Sequence, residues 1–179
     1  METSQLLMYV LLCVLVIITL KITVIPQKEI IEDLPNSGDA KLLLGNLREK
    51  AKKLIEYVSV KYPNDTGIKQ LKDRFQPKEL FEGRPGDVNF TYTENKGEKV
   101  VLCLRGLDLQ LHSENLILFP LLHELAHIAD TNYDPSHGDN FRKYFRLLLE
   151  NANEIGIYHK IDFQKSPENY CGIDITGLP

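Results

Sequence analysis

The chain has 179 residues, of which 43% are hydrophobic and 26% are charged, and it carries a net charge of −4 at pH 7. These values are typical of one globular domain with an appendage. The acidic balance is a poor electrostatic match for DNA or RNA, so a nucleic-acid partner is not expected. Three scattered cysteines, Cys13, Cys103 and Cys171, indicate neither a disulfide framework nor a cysteine-based zinc site.

The N-terminal appendage is an almost continuous apolar stretch over residues 6–25, interrupted by Lys21 and two threonines. It is about long enough to cross a bilayer as a helix if the Lys21 ammonium reaches the interface. The preceding residues lack a basic region, and no small-residue cleavage site follows. We therefore predict an uncleaved transmembrane anchor over residues 1–26 rather than a signal peptide.

The orientation of this predicted single-pass protein rests on charges near the anchor. Lys21 and Lys28 flank its C-terminal side, which places the following domain on the cytoplasmic face. Two Asn-x-Thr sequons, at Asn64 and Asn89, favour the lumenal or outer face instead.

A polar linker over residues 27–38 leads to the predicted domain, residues 39–179. Apolar residues at helical spacing predict a helix from Asp39 to about Tyr62, with a lysine-rich face in solvent. A short helix is expected over residues 66–75 and a loop over residues 76–86.

The pattern then changes to an alternation with a period of two. Strands are predicted over residues 88–92 and 99–104, joined by a turn at 95–97, with a third short strand over residues 107–112. These strands would form a small, mainly antiparallel sheet.

Two helices are predicted after the sheet. Ser113 can start the first, and Pro120 either bends it or marks its true beginning. The second is expected from about Gly138 to Ile155, where Gly156 would stop it. The tail, residues 157–179, has no clear period. The fold class predicted is α+β: a transmembrane helix, then helices packed on a short sheet.

The first of these helices contains H-E-x-x-H, formed by His123, Glu124 and His127. Side chains four residues apart share one helix face, so both imidazoles would reach the same point. Two neutral imidazoles at that separation suit a tetrahedral Zn²⁺. Glu124 lies at the edge of this face, where it can take a proton from a metal-bound water.

A zinc site of this kind needs a third protein ligand from outside the first helix. His137, ten positions beyond His127, is the candidate, and Glu150 and Glu154 on the second helix are competitors. The remaining histidines, His112 and His159, lack a partner at ligand spacing and are expected to be surface residues.

The H-E-x-x-H at residues 123–127, the short reversing loop, and His137-Gly138 followed by Phe141 together resemble the SprT/WLM-type zinc metalloproteases. The resemblance covers mainly residues 116–149, and the order of elements is similar to a minimal gluzincin-like core. It implies that His123, His127 and His137 bind zinc and that Glu124 is the catalytic acid and base. A membrane-anchored, compact arrangement is also similar to WLM-like proteins of large DNA viruses, which would place the chain in a virion or host membrane.

We therefore expect a membrane-anchored zinc metalloendopeptidase that acts on a protein or peptide substrate. Tyr133 and Tyr170 are candidate oxyanion donors, and the strand at 107–112 could hold an extended substrate. The DNA-repair role of some family members is not carried over. The alternatives are a non-catalytic, membrane-tethered zinc domain with a structural or adaptor role, and a zinc hydrolase of non-peptide substrates.

Overall fold

The structure is a computed structural model that describes residues 34–87, 91–132 and 137–177. Within these ranges it is an α+β fold in which helices pack on a small sheet, and a separate hairpin lies near the C-terminus. The elements along the chain are α1 (Ser37–Lys61), α2 (Thr66–Arg74), a 3₁₀ turn (Pro77–Glu79), β1 (Leu80–Glu82), β2 (Tyr92–Glu94), β3 (Lys99–Leu102), α3 (Glu114–Ala129), α4 (Asp139–Glu154), β4 (Glu168–Tyr170) and β5 (Ile173–Ile175).

The first helix is amphipathic, and its apolar stripe faces the core. It begins at Ser37, two residues before the predicted start at Asp39, and its N-cap residue Asn36 has a left-handed conformation with φ 57°. Its lysine-rich face is largely in solvent, as predicted. The buried residues recur at helical spacing: Ala40, Leu44, Leu47, Ala51, Leu54, Ile55 and Val58.

The three-stranded sheet is mixed, so the prediction of a mainly antiparallel sheet was wrong. Its order is β1-β3-β2. β2 pairs antiparallel with β3 through the predicted hairpin turn, whereas β1 pairs parallel with β3. β1 lies in the segment predicted as loop, and residues 88–90 of the predicted first strand lie outside the described residues. The predicted strand at 107–112 is a loop with one bridge, between Arg105 and Leu111.

Helix α3 runs without interruption from Glu114 to Ala129 and includes Pro120. Of the two possibilities left open by the proline, the structure therefore has one helix that starts at the Ser113 cap. Ser113 Oγ accepts a hydrogen bond from the Leu116 amide. Almost the whole helix surface is buried, since α3 packs against α2, α4 and the sheet.

A buried ion pair links β1 to the segment after β3, and its arginine also contacts the residues just before α1. Arg105 Nε donates to Glu82 Oε1 at 2.5 Å, and both side chains are completely excluded from solvent. The same guanidinium donates to the carbonyl oxygen of Pro35. Removing one member of such a pair leaves the other charge buried without a partner, which typically lowers the free energy of unfolding by about 3–5 kcal/mol.

The C-terminal tail contains structure that the sequence did not predict. β4 and β5 form an antiparallel hairpin, and a disulfide between Cys103 and Cys171 fastens it to the end of β3. The prediction that these cysteines form no disulfide was therefore wrong.

The predicted single-pass membrane topology also requires correction. Among the residues that the structure describes, no helix is both long enough and apolar enough to span a bilayer. The apolar segment at 6–25, on which the anchor was predicted, lies outside those residues. The described residues therefore form an α+β fold without a transmembrane helix, and the predicted single-pass membrane localisation is not supported.

Candidate metal centre

Three histidine rings converge at the junction between α3 and α4. His123 and His127 lie one turn apart on α3, and their Nε2 atoms are 3.2 Å apart. His137 comes from the loop before α4, and its Nε2 lies 3.1 Å from each of the other two. The structure thus brings together the three imidazoles that the sequence singled out.

The three Nε2 atoms fit a tetrahedral metal ion. They form a nearly equilateral triangle with sides of 3.1–3.2 Å. For nitrogen–zinc distances of about 2.0–2.1 Å, a point equidistant from all three lies about 1 Å from their plane. The angles at that point are about 100°, close to tetrahedral, and one further coordination position remains open. Hydrogen bonds among the rings alone do not account for the arrangement, because each neutral Nε2 is either a donor or an acceptor and three of them cannot all satisfy one another.

His137 reaches this position from a left-handed backbone conformation with φ 58°. Gly138 then caps α4, and the helix begins at Asp139. Non-glycine residues rarely adopt positive φ, and such strained residues are concentrated at functional sites.

The ring of Phe141 packs against all three histidine rings. Its ring centroid lies 4.8 Å from that of His123, 4.4 Å from that of His127 and 4.6 Å from that of His137. Phe141 is fully buried, and Phe145 packs against His123 from the next turn of α4. The aromatic contacts restrict the orientations of the imidazoles before any ligand binds.

Electrostatics keep two of the rings neutral, which is the form that binds metal. Burial lowers the pKa of His123 to about 3, and the neighbouring His127 and His137 add to the shift. Burial also lowers the pKa of His127 to about 4, with further contributions from His137 and Lys96.

Glu124 lies on the next position of α3 and is only 5% exposed. Burial raises the pKa of its carboxyl to about 7, and the side chain of Thr93 on β2 acts in the opposite direction. A carboxyl group with this pKa can both accept and donate a proton near neutral pH.

Two polar residues that the sequence analysis overlooked hold the C-terminal end of α3. Lys96 Nζ donates to the carbonyl oxygens of His127 at 2.9 Å and Asp130 at 3.0 Å. Gln70 Nε2 donates to those of Ile128 at 2.7 Å and Asp130 at 3.2 Å. A cation here also complements the negative end of the helix dipole. The only sequence signal was the position of Lys96 in the hairpin turn.

The other candidates from the sequence occupy different places. Glu154 pairs with Lys61 on α1, and neither it nor Glu150 belongs to a convergent ligand cluster among the described residues. Tyr133 lies outside the described residues. Tyr170 is buried, and its hydroxyl lies 3.0 Å from Thr91 Oγ1. Burial raises its pKa, and the charge of Glu124 contributes to that shift.

His159 is exposed, as predicted, but His112 is half-buried against the disulfide. His112 Nε2 lies 3.4 Å from Cys171 Sγ. The prediction of a simple surface histidine was therefore wrong for His112.

Comparison with known proteins adds a family but no activity. The chain is 32% identical over 151 residues to an uncharacterised protein of Acanthamoeba polyphaga mimivirus. The match covers 82% of this chain and 76% of the mimivirus protein. This chain therefore belongs to the same family as the mimivirus protein. An uncharacterised protein of invertebrate iridescent virus 6 is 23% identical over 143 residues, 78% of this chain and 76% of the relative.

A shorter match, to an uncharacterised protein of invertebrate iridescent virus 3, is 37% identical over 86 residues, 46% of this chain and 50% of the relative. No protein-family model matches the chain, and no solved structure matches it.

Proposed function

We propose that the chain is a zinc-dependent metallopeptidase of the SprT/WLM type. The observation that carries the proposal is the convergence of His123, His127 and His137 within 3.1–3.2 Å, with Glu124 on the same helix. Three imidazoles and an open fourth position are typical of catalytic rather than structural zinc sites. A structural site would have no need of a buried carboxyl group with a pKa of about 7.

When bound, a zinc ion supplies an activated water and polarises the carbonyl group of the scissile bond. Glu124 takes the proton of the attacking water into its carboxylate and then delivers it to the leaving amine nitrogen. The apolar wall formed by Phe141 and Phe145 excludes bulk water from one side of the histidines and strengthens these charge interactions.

The proposed substrate is a protein or peptide in an extended conformation. In the described part of the chain, β2 is an edge strand of the sheet, and its Thr93 lies beside Glu124. An extended peptide can add to such an edge through backbone hydrogen bonds. The sequence predicted that the strand at 107–112 would pair with the substrate, but that segment forms no ladder. We therefore assign substrate pairing to β2.

The proposal is tested with the full chain loaded with one equivalent of zinc and incubated with unfolded protein and peptide libraries. Glu124→Gln is expected to retain zinc but lose about 100-fold or more of the peptidase rate, because a neutral amide cannot relay the proton. His137→Ala should lose both zinc and activity. His159→Ala is the matched control and should retain both.

Cleavage at the wild-type rate by Glu124→Gln would refute the mechanism. If wild type binds zinc at the three histidines but cleaves no peptide bond, the result favours the structural or non-peptide alternatives. Activity that survives complete removal of metal would refute the whole proposal.

A further inference from the structure

A second cluster of metal-ligating side chains lies apart from the histidine site. The Sγ atoms of Cys103 and Cys171 and a ring nitrogen of His112 all lie within 4.8 Å of one another. Cys103 follows β3, His112 ends the loop after it, and Cys171 occupies the turn between β4 and β5. The two ends of one loop and a hairpin turn 59 residues further along the chain therefore converge on one point.

We propose that Cys103, His112 and Cys171 form a second zinc site, available when their disulfide is reduced. In the oxidised state described by the structure the two sulfurs are bonded to each other. His112 Nε2 is already 3.4 Å from Cys171 Sγ. The carbonyl oxygen of Arg105 lies 3.0 Å from Cys103 Sγ and 3.4 Å from Cys171 Sγ, so an oxygen is also present beside both sulfurs.

The backbone at Cys171 is unusual for a residue that serves only to turn the chain. Cys171 has φ 54° and Gly172 has φ 89°, so both central residues of the hairpin turn have positive φ. Asparagine followed by glycine is the preferred pair in such a turn, and other residues with a Cβ atom are disfavoured there. The fold therefore holds this sulfur beside Cys103 and His112 at a cost in backbone energy.

Charge balance favours a divalent cation at this position. Two thiolates and one neutral imidazole bring a charge that Zn²⁺ cancels, and burial penalises any net charge. Cys103 is completely buried, while Cys171 and His112 are half-buried. Thiolate ligands also select zinc over the hard cations calcium and magnesium.

Formation of the site requires a two-electron reductant, such as a small dithiol. The Cys103–Cys171 bond breaks, two electrons and two protons pass from the dithiol, and the dithiol becomes a cyclic disulfide. Zinc then displaces the two thiol protons to solvent. The sulfurs must separate to about 3.8 Å, the spacing of two thiolates on a tetrahedral zinc. The disulfide and the metal site therefore exclude each other.

The test is a titration of the full chain with Co²⁺, a spectroscopic substitute for zinc, before and after reduction with a phosphine. The oxidised chain is expected to bind one Co²⁺ without sulfur-to-metal charge-transfer absorption. The reduced chain should bind a second Co²⁺ and show that absorption. Zn²⁺ should then displace Co²⁺ and remove the band.

Variants assign the second ion to its ligands. Cys171→Ser should abolish the charge-transfer band, and His112→Ala should weaken Co²⁺ binding at the sulfur site about tenfold or more. Cys13→Ser is the matched cysteine control and should leave the band unchanged. His123→Ala should lose the imidazole-bound ion but keep the band, which separates this proposal from the proposed peptidase site.

Three results would overturn the inference. The first is the absence of a charge-transfer band in wild type after thiol titration has shown two more free thiols than in the oxidised chain. The second is a band that persists in Cys171→Ser while disappearing in Cys13→Ser. The third is a disulfide that stays closed in the folded chain under the phosphine. Thermal unfolding of each variant establishes that it is folded before it is scored.

Discussion

At the scale of single residues, His137 adopts an unfavourable backbone conformation that places its side chain beside the other two histidines. Its φ of 58° costs about 1–2 kcal/mol for a residue with a Cβ atom, and glycine avoids most of that cost. The same conformation brings the His137 Nε2 to 3.1 Å from two other imidazole nitrogens.

We predict that His137→Gly and His137→Ala both lose high-affinity zinc binding but differ in stability. Without metal, the glycine variant should be more stable than the alanine variant by about 1 kcal/mol, since only alanine retains the strained Cβ. Urea unfolding of the two proteins measures the difference. Equal or reversed stabilities would contradict the prediction, since the strain at this position would then not exceed the extra entropy that glycine loses on folding.

Asp65 is a second residue with a local and measurable effect. Its carboxylate caps α2 by accepting from the Gly67 and Ile68 amides at 2.9 and 3.1 Å. It also accepts from the Tyr144 hydroxyl at 2.8 Å and pairs with Lys143 at 3.0 Å. Burial opposes ionisation, but these hydrogen bonds outweigh it, and the pKa of Asp65 lies below its usual value.

Asp65→Ala is predicted to lower the free energy of unfolding by about 1–2 kcal/mol at pH 7. Because the folded-state pKa is depressed, this contribution is complete above the unfolded pKa of about 3.9 and is lost as pH falls through the folded value. The gap between wild type and variant should therefore narrow from pH 6 to pH 3 in denaturant unfolding. Asp73→Ala, an exposed change on the same helix, should stay within about 0.5 kcal/mol of wild type. A gap that widens in acid would contradict this assignment.

At the scale of elements, the approach of α2 to the two helices beside the candidate metal centre depends on a residue without a side chain. A Cβ atom at Gly67 would overlap the Tyr144 ring of α4 and the carbonyl oxygen of Ala129, the last residue of α3. The Gly67 amide also donates to the Tyr144 hydroxyl at 3.2 Å. Only glycine permits the three helices to meet this closely.

Gly67→Ala is therefore predicted to destabilise the fold by about 1–3 kcal/mol and to weaken zinc binding, because α3 and α4 carry the ligands. Gly45→Ala is the matched control: Gly45 lies inside α1 with open space around it. That change should stabilise the fold by about 0.5–1 kcal/mol through helix propensity. Thermal unfolding and zinc titration measure both effects, and shifts of the same sign would contradict the packing argument.

The helices were predictable because their apolar periodicity and their caps are local signals. α2 was predicted over residues 66–75 and lies at Thr66–Arg74, and α4 was predicted from Gly138 to Ile155 and lies at Asp139–Glu154. Gly156 follows α4 with φ 69°, the conformation expected of a helix stop.

The sheet was less predictable because its strands depend on distant partners. β1 has three residues in a segment rich in proline and glycine, and its parallel partner lies about twenty residues away. β4 and β5 are short and mostly exposed, so they lack an alternating apolar pattern. The Cys103–Cys171 bond spans 68 residues, and nothing in the spacing of three cysteines indicates it.

The positions of the candidate ligands were predictable to the extent that helical spacing fixes them. His123 and His127 share a face of α3 because they are four residues apart. The approach of His137 to His123 and His127 depends on the loop before α4. It could be inferred only from the motif of His137-Gly138 followed by Phe141. The contacts of Lys96 with the end of α3 depend on the folded hairpin, and the position of Lys96 in the predicted turn did not indicate them.

At the scale of the whole molecule, contacts between residues that are distant in sequence join α1, the sheet and the C-terminal hairpin. Arg48 on α1 donates to the carbonyl oxygen of Leu80 in β1 at 2.7 Å, and the Arg105–Glu82 pair joins that strand to the segment after β3. The disulfide adds the C-terminal hairpin. The site helix α3 packs in turn against α2, α4 and this sheet, so the candidate ligands lie in one framework, as a preorganised site requires.

The net charge of −4 belongs to the same scale. It favours a protein or peptide over a nucleic acid as the ligand of the proposed peptidase. The mimivirus protein of the same family matches 82% of this chain, so the proposed activity can be tested in that relative as well.

The most direct test of the account is X-ray absorption spectroscopy at the zinc edge on the oxidised full chain loaded with one equivalent of Zn²⁺. We predict three imidazole nitrogens and one further oxygen or nitrogen at about 2.0–2.1 Å, with no sulfur in the coordination shell. His137→Ala should lose one imidazole from the spectrum or fail to retain the ion. A shell with sulfur at about 2.3 Å, or a wild-type chain that does not bind zinc stoichiometrically, would contradict the account.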